Sequence, residues 1–144
     1  MLELLREYKN VATYTGFDIS SEMLERGRQL FGESDKIKWT TTLGDEKFDF
    51  TIASGIFNVR LGHGDIDWLD YVRQTLFEIN EKSLGGFSFN MLTKYSDKAF
   101  MKSNLYYADP AHLMDFCKTN FSKYVSVLHD YPLYEFTIIV RKNL

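Results

Sequence analysis

The segment that most restricts the fold is ATYTGFDISSEMLERGRQL, residues 12–30. A β-rich run over residues 11–17 ends on Asp18, and a helix opens directly behind Ser20, whose hydroxyl can accept from the first helical turn. Glu22 stands where the helix dipole favours a carboxylate, and Gly32 marks the expected stop after Phe31. Strand and helix then keep alternating. Residues 36–42 and 48–54 read as strands. Residues 66–79 read as a helix capped by Asp65, with Trp68, Leu69, Val72, Leu76, Phe77 and Ile79 on its apolar side. Gly85-Gly86 reads as the end of a loop before a strand over residues 87–92. Asp109-Pro110 is a strong helix start, and Leu113, Phe116 and Cys117 share one face of that helix. Residues 124–129, ending on His129, and 135–141 form a closing hairpin around DYPLY. At the N-terminus, Leu2, Leu4, Leu5 and Tyr8 have helical spacing.

This alternation implies an α/β fold, a mostly parallel sheet covered on both faces, with one antiparallel strand added by the hairpin. At 144 residues a single domain over residues 1–144 is expected, and 44% hydrophobic content is enough for a core. The net charge of −3 argues against a dedicated nucleic-acid binder. Cys117 stands alone, so neither an internal disulfide nor a thiolate metal cluster can form. His63, His112 and His129 have no metal-site spacing, and no metal is expected. The N-terminal residues do not resemble a signal peptide, and no apolar run reaches membrane-spanning length. A cytoplasmic protein with no membrane partner is the expectation.

Ligands of open parallel sheets bind beyond the carboxyl ends of the strands, where Asp18 falls. A carboxylate there can accept from both hydroxyls of a ribose, through charge-strengthened hydrogen bonds. It can equally cap a turn or the Ser20 helix, and position alone does not separate the two roles. Gly62-His63-Gly64 is the one G-x-G in the chain. It lacks a third glycine, and Asp65 and Asp67 put negative charge where a phosphate would bind. It reads as a flexible turn.

Four stretches, taken in order, resemble the class I S-adenosylmethionine-dependent methyltransferases. GFDISSEMLERGRQLF is similar to their second-strand motif, KFDFTIASGIFN to the fourth, LGGFSFNMLTK to the glycine-led fifth strand, and the final hairpin to their antiparallel last strand. The resemblance covers residues 11–142. It implies a Rossmann-like three-layer αβα sandwich and S-adenosylmethionine as cofactor. It implies that Asp18 binds the ribose and that Ile19 and Met23 border the adenine. Asp45, or Glu46, would hold the adenine amino group, or else form a solvated turn. Ser54, Gly55 and Ile56 would border the methionine part, with Asn58 towards the substrate. The stretch after the fifth strand overhangs the acceptor site in this family. There Lys94, Lys98, Lys102, Tyr95, Tyr106 and Tyr107 would grip an anionic or sugar-bearing small molecule, or form a charged surface loop. His63 is the one candidate general base. An in-line transfer to an acceptor that is already nucleophilic needs none.

The family's first strand and its G-x-G-x-G loop find no match here, and MLELLREYKN is similar to the helix after that loop. The central strand is therefore expected to be missing. Residues 11–17 and 48–54 must then pair directly or leave open edges, which favours self-association. Impaired methyl transfer follows as an expectation. A nicotinamide-dependent oxidoreductase, or a non-catalytic dimerisation or scaffold module, are the alternatives.

Overall fold

The structure, a computed structural model, describes residues 11–143. The expected helix over residues 2–8 lies outside them. The chain divides into two compact units, with the boundary between Glu46 and Lys47.

The first unit holds β1 (Tyr14–Phe17), α1 (Ser21–Phe31) and β2 (Ile37–Thr40), with β1 and β2 parallel from Tyr14↔Ile37 to Phe17↔Thr40. β1 is shorter than the expected run over residues 11–17 because its partner offers four residues to pair with. The Ser20 hydroxyl accepts the Met23 N–H at 3.3 Å, and Gly32, at φ 74°, donates its N–H to the Arg28 carbonyl at 2.8 Å. Both expected caps are therefore present. Trp39 of β2 organises the unit. Its indole N–H donates to the Gly32 carbonyl at 2.9 Å, and its ring stacks on Phe31. The ring also lies over Gly16 of β1 and Gly27 of α1, where a Cβ would come within 2.4 Å and 2.6 Å of it.

The second unit holds β3 (Phe48–Ala53), α2 (Asp65–Lys82), β4 (Ser83–Leu92), α3 (Pro110–Asn120), β5 (Tyr124–Leu128) and β6 (Glu135–Arg141). The strand order is β3-β4-β6-β5. β3 and β4 are parallel, and β6 runs antiparallel to both neighbours. The hairpin thus contributes the single antiparallel strand, inserted between β4 and β5. Phe87, Phe89 and Met91 of β4 and Phe136, Ile138 and Val140 of β6 form one buried face with Trp68, Val72 and Leu76 of α2 and Leu113 and Cys117 of α3. Each large apolar side chain buried there contributes about 1.5–3 kcal/mol. Strand alternation and register put Phe50, Ile52 and Leu128 on the opposite face, each a little over 40% exposed.

Asp65 is not a cap. It is the first residue of α2, Gly64 holds the cap position without a side-chain bond, and the helix extends to Lys82. The Arg60 guanidinium pairs with Asp65 instead. Gly85 and Gly86 do not end a loop. α2 passes straight into β4, and both glycines lie within that strand. They are needed for close approach: a Cβ on Gly86 would sit 2.2 Å from the Val140 carbonyl oxygen, and one on Gly85 3.0 Å from that of Asp49. His129 lies just past β5. The Asp109-Pro110 start is as expected, with the Asp109 carboxylate accepting the Ala111 N–H at 3.0 Å.

Among the described residues β1 pairs with β2 alone and β3 with β4 alone, each within its own unit. No helix of the described residues is long and apolar enough to cross a membrane.

Candidate functional site

At the carboxyl end of β1, the Asp18 N–H donates to the Thr40 carbonyl at 3.3 Å, continuing the ladder one residue past the strand. One carboxylate oxygen of Asp18 accepts the Ser20 N–H at 2.8 Å. The aspartate therefore does form a turn. The same contact fixes its carboxylate and leaves the second oxygen without a partner among the described residues. Ile19 is 87% exposed and Met23 58%, so the apolar side chains that follow Asp18 in sequence are held in solvent at the helix start. Asp45 is exposed in the turn after β2. Glu46 helps line a depression of about 290 Å³, together with Thr15, Lys38, Trp39 and Thr40.

At the carboxyl end of β3, Ser54, Gly55 and Ile56 are all exposed. Long-range tethers hold this segment. Gly55, at φ 75°, donates its N–H to the side-chain oxygen of Asn90 at 2.7 Å, and the Asn90 amide in turn donates to the Glu135 carboxylate. Phe57 is fully buried, and its carbonyl accepts the Trp68 indole N–H at 2.9 Å. The side-chain oxygen of Asn58 accepts the Leu92 N–H at 3.1 Å, and its carbonyl accepts the Tyr106 N–H at 2.9 Å. Asn58 thus has a structural task. The Arg60 guanidinium donates to the Ser103 carbonyl. Leu61 (φ 50°) and Gly62 (φ 84°) then turn the chain, and His63 follows, exposed, with its ring stacked on Trp68. No carboxylate among the described residues bonds the His63 ring.

Beyond β4, Lys94 and Asp109 pair at 2.6 Å. That hydrogen bond raises the lysine pKa and lowers the aspartate's, and the two directions agree. Tyr95 is 66% exposed, with Lys94 over its ring and His129 beside it. Tyr106 is half-buried, and burial pushes its phenol pKa up. The Tyr107 hydroxyl accepts the Lys102 N–H at 2.9 Å. Of the three expected acceptor tyrosines, Tyr95 is the exposed one, while Tyr106 and Tyr107 are partly buried; Lys98 and Lys102 are exposed as well. The described residues contain no group of three His, Cys, Asp or Glu suited to a metal.

Asn90, Glu135 and Trp68 escaped the sequence reading as parts of this site. Their partners lie 35, 45 and 11 residues away, and no local pattern announces such pairs.

No protein-family model matches the chain. It is 48% identical over 130 residues to the "Putative methyltransferase Rv1506c" of Mycobacterium tuberculosis (strain ATCC 25618 / H37Rv), covering 90% of this chain and 78% of that protein. Its fold is similar to that of magnesium protoporphyrin IX methyltransferase from Synechocystis PCC 6803. With SAM bound, the TM-score is 0.60 at 12% identity, over 91% of this chain and 60% of that one. With SAH bound, it is 0.63 at 12% identity, over 91% and 64%. A chain of the Pnkp1/Rnl/Hen1 RNA repair complex is also similar, with a TM-score of 0.59 at 11% identity, over 94% of this chain and 33% of that one. The chain therefore spans less than two thirds of the solved structures it resembles.

Proposed function

The chain belongs to the methyltransferase family of its mycobacterial relative, and from that premise we propose that it takes part in methyl transfer from S-adenosylmethionine to a small-molecule acceptor. The observation that carries this reading is Asp18: a carboxylate at a strand's carboxyl end, oriented by the Ser20 N–H, with its second oxygen unpartnered among the described residues. That is a suitable acceptor for ribose hydroxyls. Ile19 and Met23 offer apolar surface to a purine. Separately, Ser54, Gly55 and Ile56 would border the methionine part, and a Cβ at Gly55 would meet nothing within 4 Å, so the backbone there is open to a ligand. Asp45 would receive the adenine amino group.

S-adenosylmethionine supplies an activated methyl group, and what remains for the protein is to hold the acceptor in line with it. Tyr95 would contribute an open ring and hydroxyl, Lys94 a positive charge, and Tyr106, Tyr107 and Asn58 a braced wall. His63 would serve as base only for an acceptor that must lose a proton. The bound acceptor is a small molecule rather than a nucleic acid, in keeping with the acidic balance of the chain. A cytoplasmic location and a single functional domain belong to the same proposal.

The test is calorimetric titration with S-adenosylhomocysteine, beside Asp18→Ala and with NADH as the competing ligand. Binding of the homocysteine nucleoside that Asp18→Ala weakens by about tenfold or more supports the reading. Binding of NADH alone would replace it with an oxidoreductase. A second reading rests on the edges of β1 and β3 that no strand pairs among the described residues. Such edges are templates for another chain, so the protein would self-associate as a dimerisation or scaffold module. A monomer by sedimentation at tens of micromolar would remove that reading.

A further inference from the structure

The Ser54–Gly55–Ile56 segment is shaped by a residue far from it. The Gly55 N–H can only donate, and the Glu135 carboxylate, when ionised, can only accept. Asn90 stands between them as acceptor to the first, at 2.7 Å, and donor to the second. An asparagine meets both demands, whereas an ionised aspartate or an alanine would meet one or neither. Its amide has one satisfactory orientation, and Glu135 selects it. If the amide turned over, its NH2 would face the Gly55 N–H and its oxygen the carboxylate.

Each residue of this relay stands where the fold is rigid on one side and open on the other. Asn90 lies in β4 between Phe89 and Met91, both buried in the core. Glu135 is the first residue of β6 and pairs in register with Leu92 of β4. Gly55, in contrast, is exposed and sits at φ 75° two residues past the end of β3. Nothing packs where its side chain would be. Its conformation is therefore set by hydrogen bonding rather than by packing. Glu135 also follows directly on Tyr134, whose hydroxyl donates to Asp97 and whose carbonyl accepts the Thr93 N–H at 3.0 Å. The loop before β6 is thus anchored to the segment after β4, and the carboxylate is presented to Asn90 from a fixed base.

We propose that Glu135, acting through Asn90, is a positioning residue that sets the Gly55 turn at the carboxyl end of β3, and with it the backbone that borders the methionine part of the cofactor. The first half of this statement stands on the hydrogen bonds alone. The second half rests on the cofactor reading above. A charge-assisted bond to the carboxylate holds the amide more firmly than a neutral one, and losing it frees the amide to rotate. Replacing Glu135 by glutamine keeps an oxygen that can accept from Asn90.

The experiment compares the full chain with Glu135→Ala and Glu135→Gln, by amide hydrogen exchange and by titration with S-adenosylhomocysteine. The expected result is that Glu135→Ala speeds exchange at Gly55 by about tenfold, the value of one such bond, while Phe89 and Ile138 are unchanged. Glu135→Gln restores most of the protection. The nucleoside is bound more weakly by Glu135→Ala and nearly normally by Glu135→Gln. Unchanged Gly55 exchange in Glu135→Ala overturns the relay. Faster exchange with unchanged affinity overturns its part in cofactor binding. Faster exchange in a chain that, unaltered, binds no nucleoside at millimolar concentration overturns the cofactor reading and leaves the relay standing.

Discussion

The Trp68 indole N–H donates to the Phe57 carbonyl at 2.9 Å, and both residues are buried. This bond fixes the β3–α2 loop to the helix that follows it. Trp68→Phe keeps most of the ring but leaves the carbonyl unpaired away from water, at a cost of about 1–3 kcal/mol. The lost ring volume adds to that. Urea denaturation is expected to show a loss of about 2–4 kcal/mol for Trp68→Phe. A loss below about 0.5 kcal/mol, the scale of an ordinary surface change, would mean the bond does not hold the loop.

Asn58 separates a bracing role from a substrate role. Its side-chain oxygen accepts the Leu92 N–H at 3.1 Å. Asn58→Ala removes that acceptor and is expected to lower stability by about 1–2 kcal/mol, whereas Asn58→Asp retains an oxygen in place and lowers it less. Thermal melts of the two variants check the ordering. Equal loss in both would show that the amide nitrogen, not the oxygen, carries the residue's contribution.

What was legible in the sequence was local. Ser20 and Gly32 bracket α1, and Asp109-Pro110 opens α3, because a cap is a contact between residues a few positions apart. The hairpin was legible for the same reason, but the place of its second strand, β6, between β4 and β5 was not, since that depends on pairing across the sheet. Gly85-Gly86 misled because a glycine pair is read as a turn signal. Here the glycines clear space for the Val140 and Asp49 carbonyls, one of which belongs to a strand more than fifty residues on. Asp65 misled because an acidic residue before an apolar helix has the look of a cap, while Arg60 had already claimed its carboxylate. At the site, the turn at Asp18 was legible, and the structure realises it without consuming the whole carboxylate. Asn90 and Glu135 were not legible at all.

Gly16 and Gly27 make a seat for Trp39. A Cβ on either would enter the ring's volume, at 2.4 Å and 2.6 Å. Gly16→Ala is expected to destabilise the first unit by about 1–3 kcal/mol, as overpacking does. Because the obstacle is a side chain, Trp39→Leu should relieve part of the cost, and the double variant should be more stable than the two single losses add up to. Gly44→Ala, where a Cβ would meet nothing within 4 Å, serves as the control and should stay within about 0.5 kcal/mol of the parent. Additive losses in the double variant would show that the glycines serve the backbone rather than the ring.

Cys117 is fully buried between α3 and the sheet, and burial pushes its thiol from 9.0 up to about 12. A thiol so placed is inert, since the thiolate is the reactive form. A disulfide reagent at neutral pH is expected to leave it unmodified in the folded chain and to label it promptly in urea. The same shift gives stability a direction with pH. Between about 9 and 12 the unfolded chain has lost this proton while the folded chain keeps it, so the unfolded state binds fewer protons and stability falls as pH rises. Below 9 both states are protonated and the residue contributes no slope. Cys117→Ala removes the group. The difference in unfolding free energy between parent and variant is therefore expected to be flat up to about pH 9, and then to change against the parent by on the order of 1 kcal/mol per pH unit. A difference that stays flat up to the alkaline limit of folding would show that the thiol titrates as it does in water. That result would place Cys117 within reach of solvent.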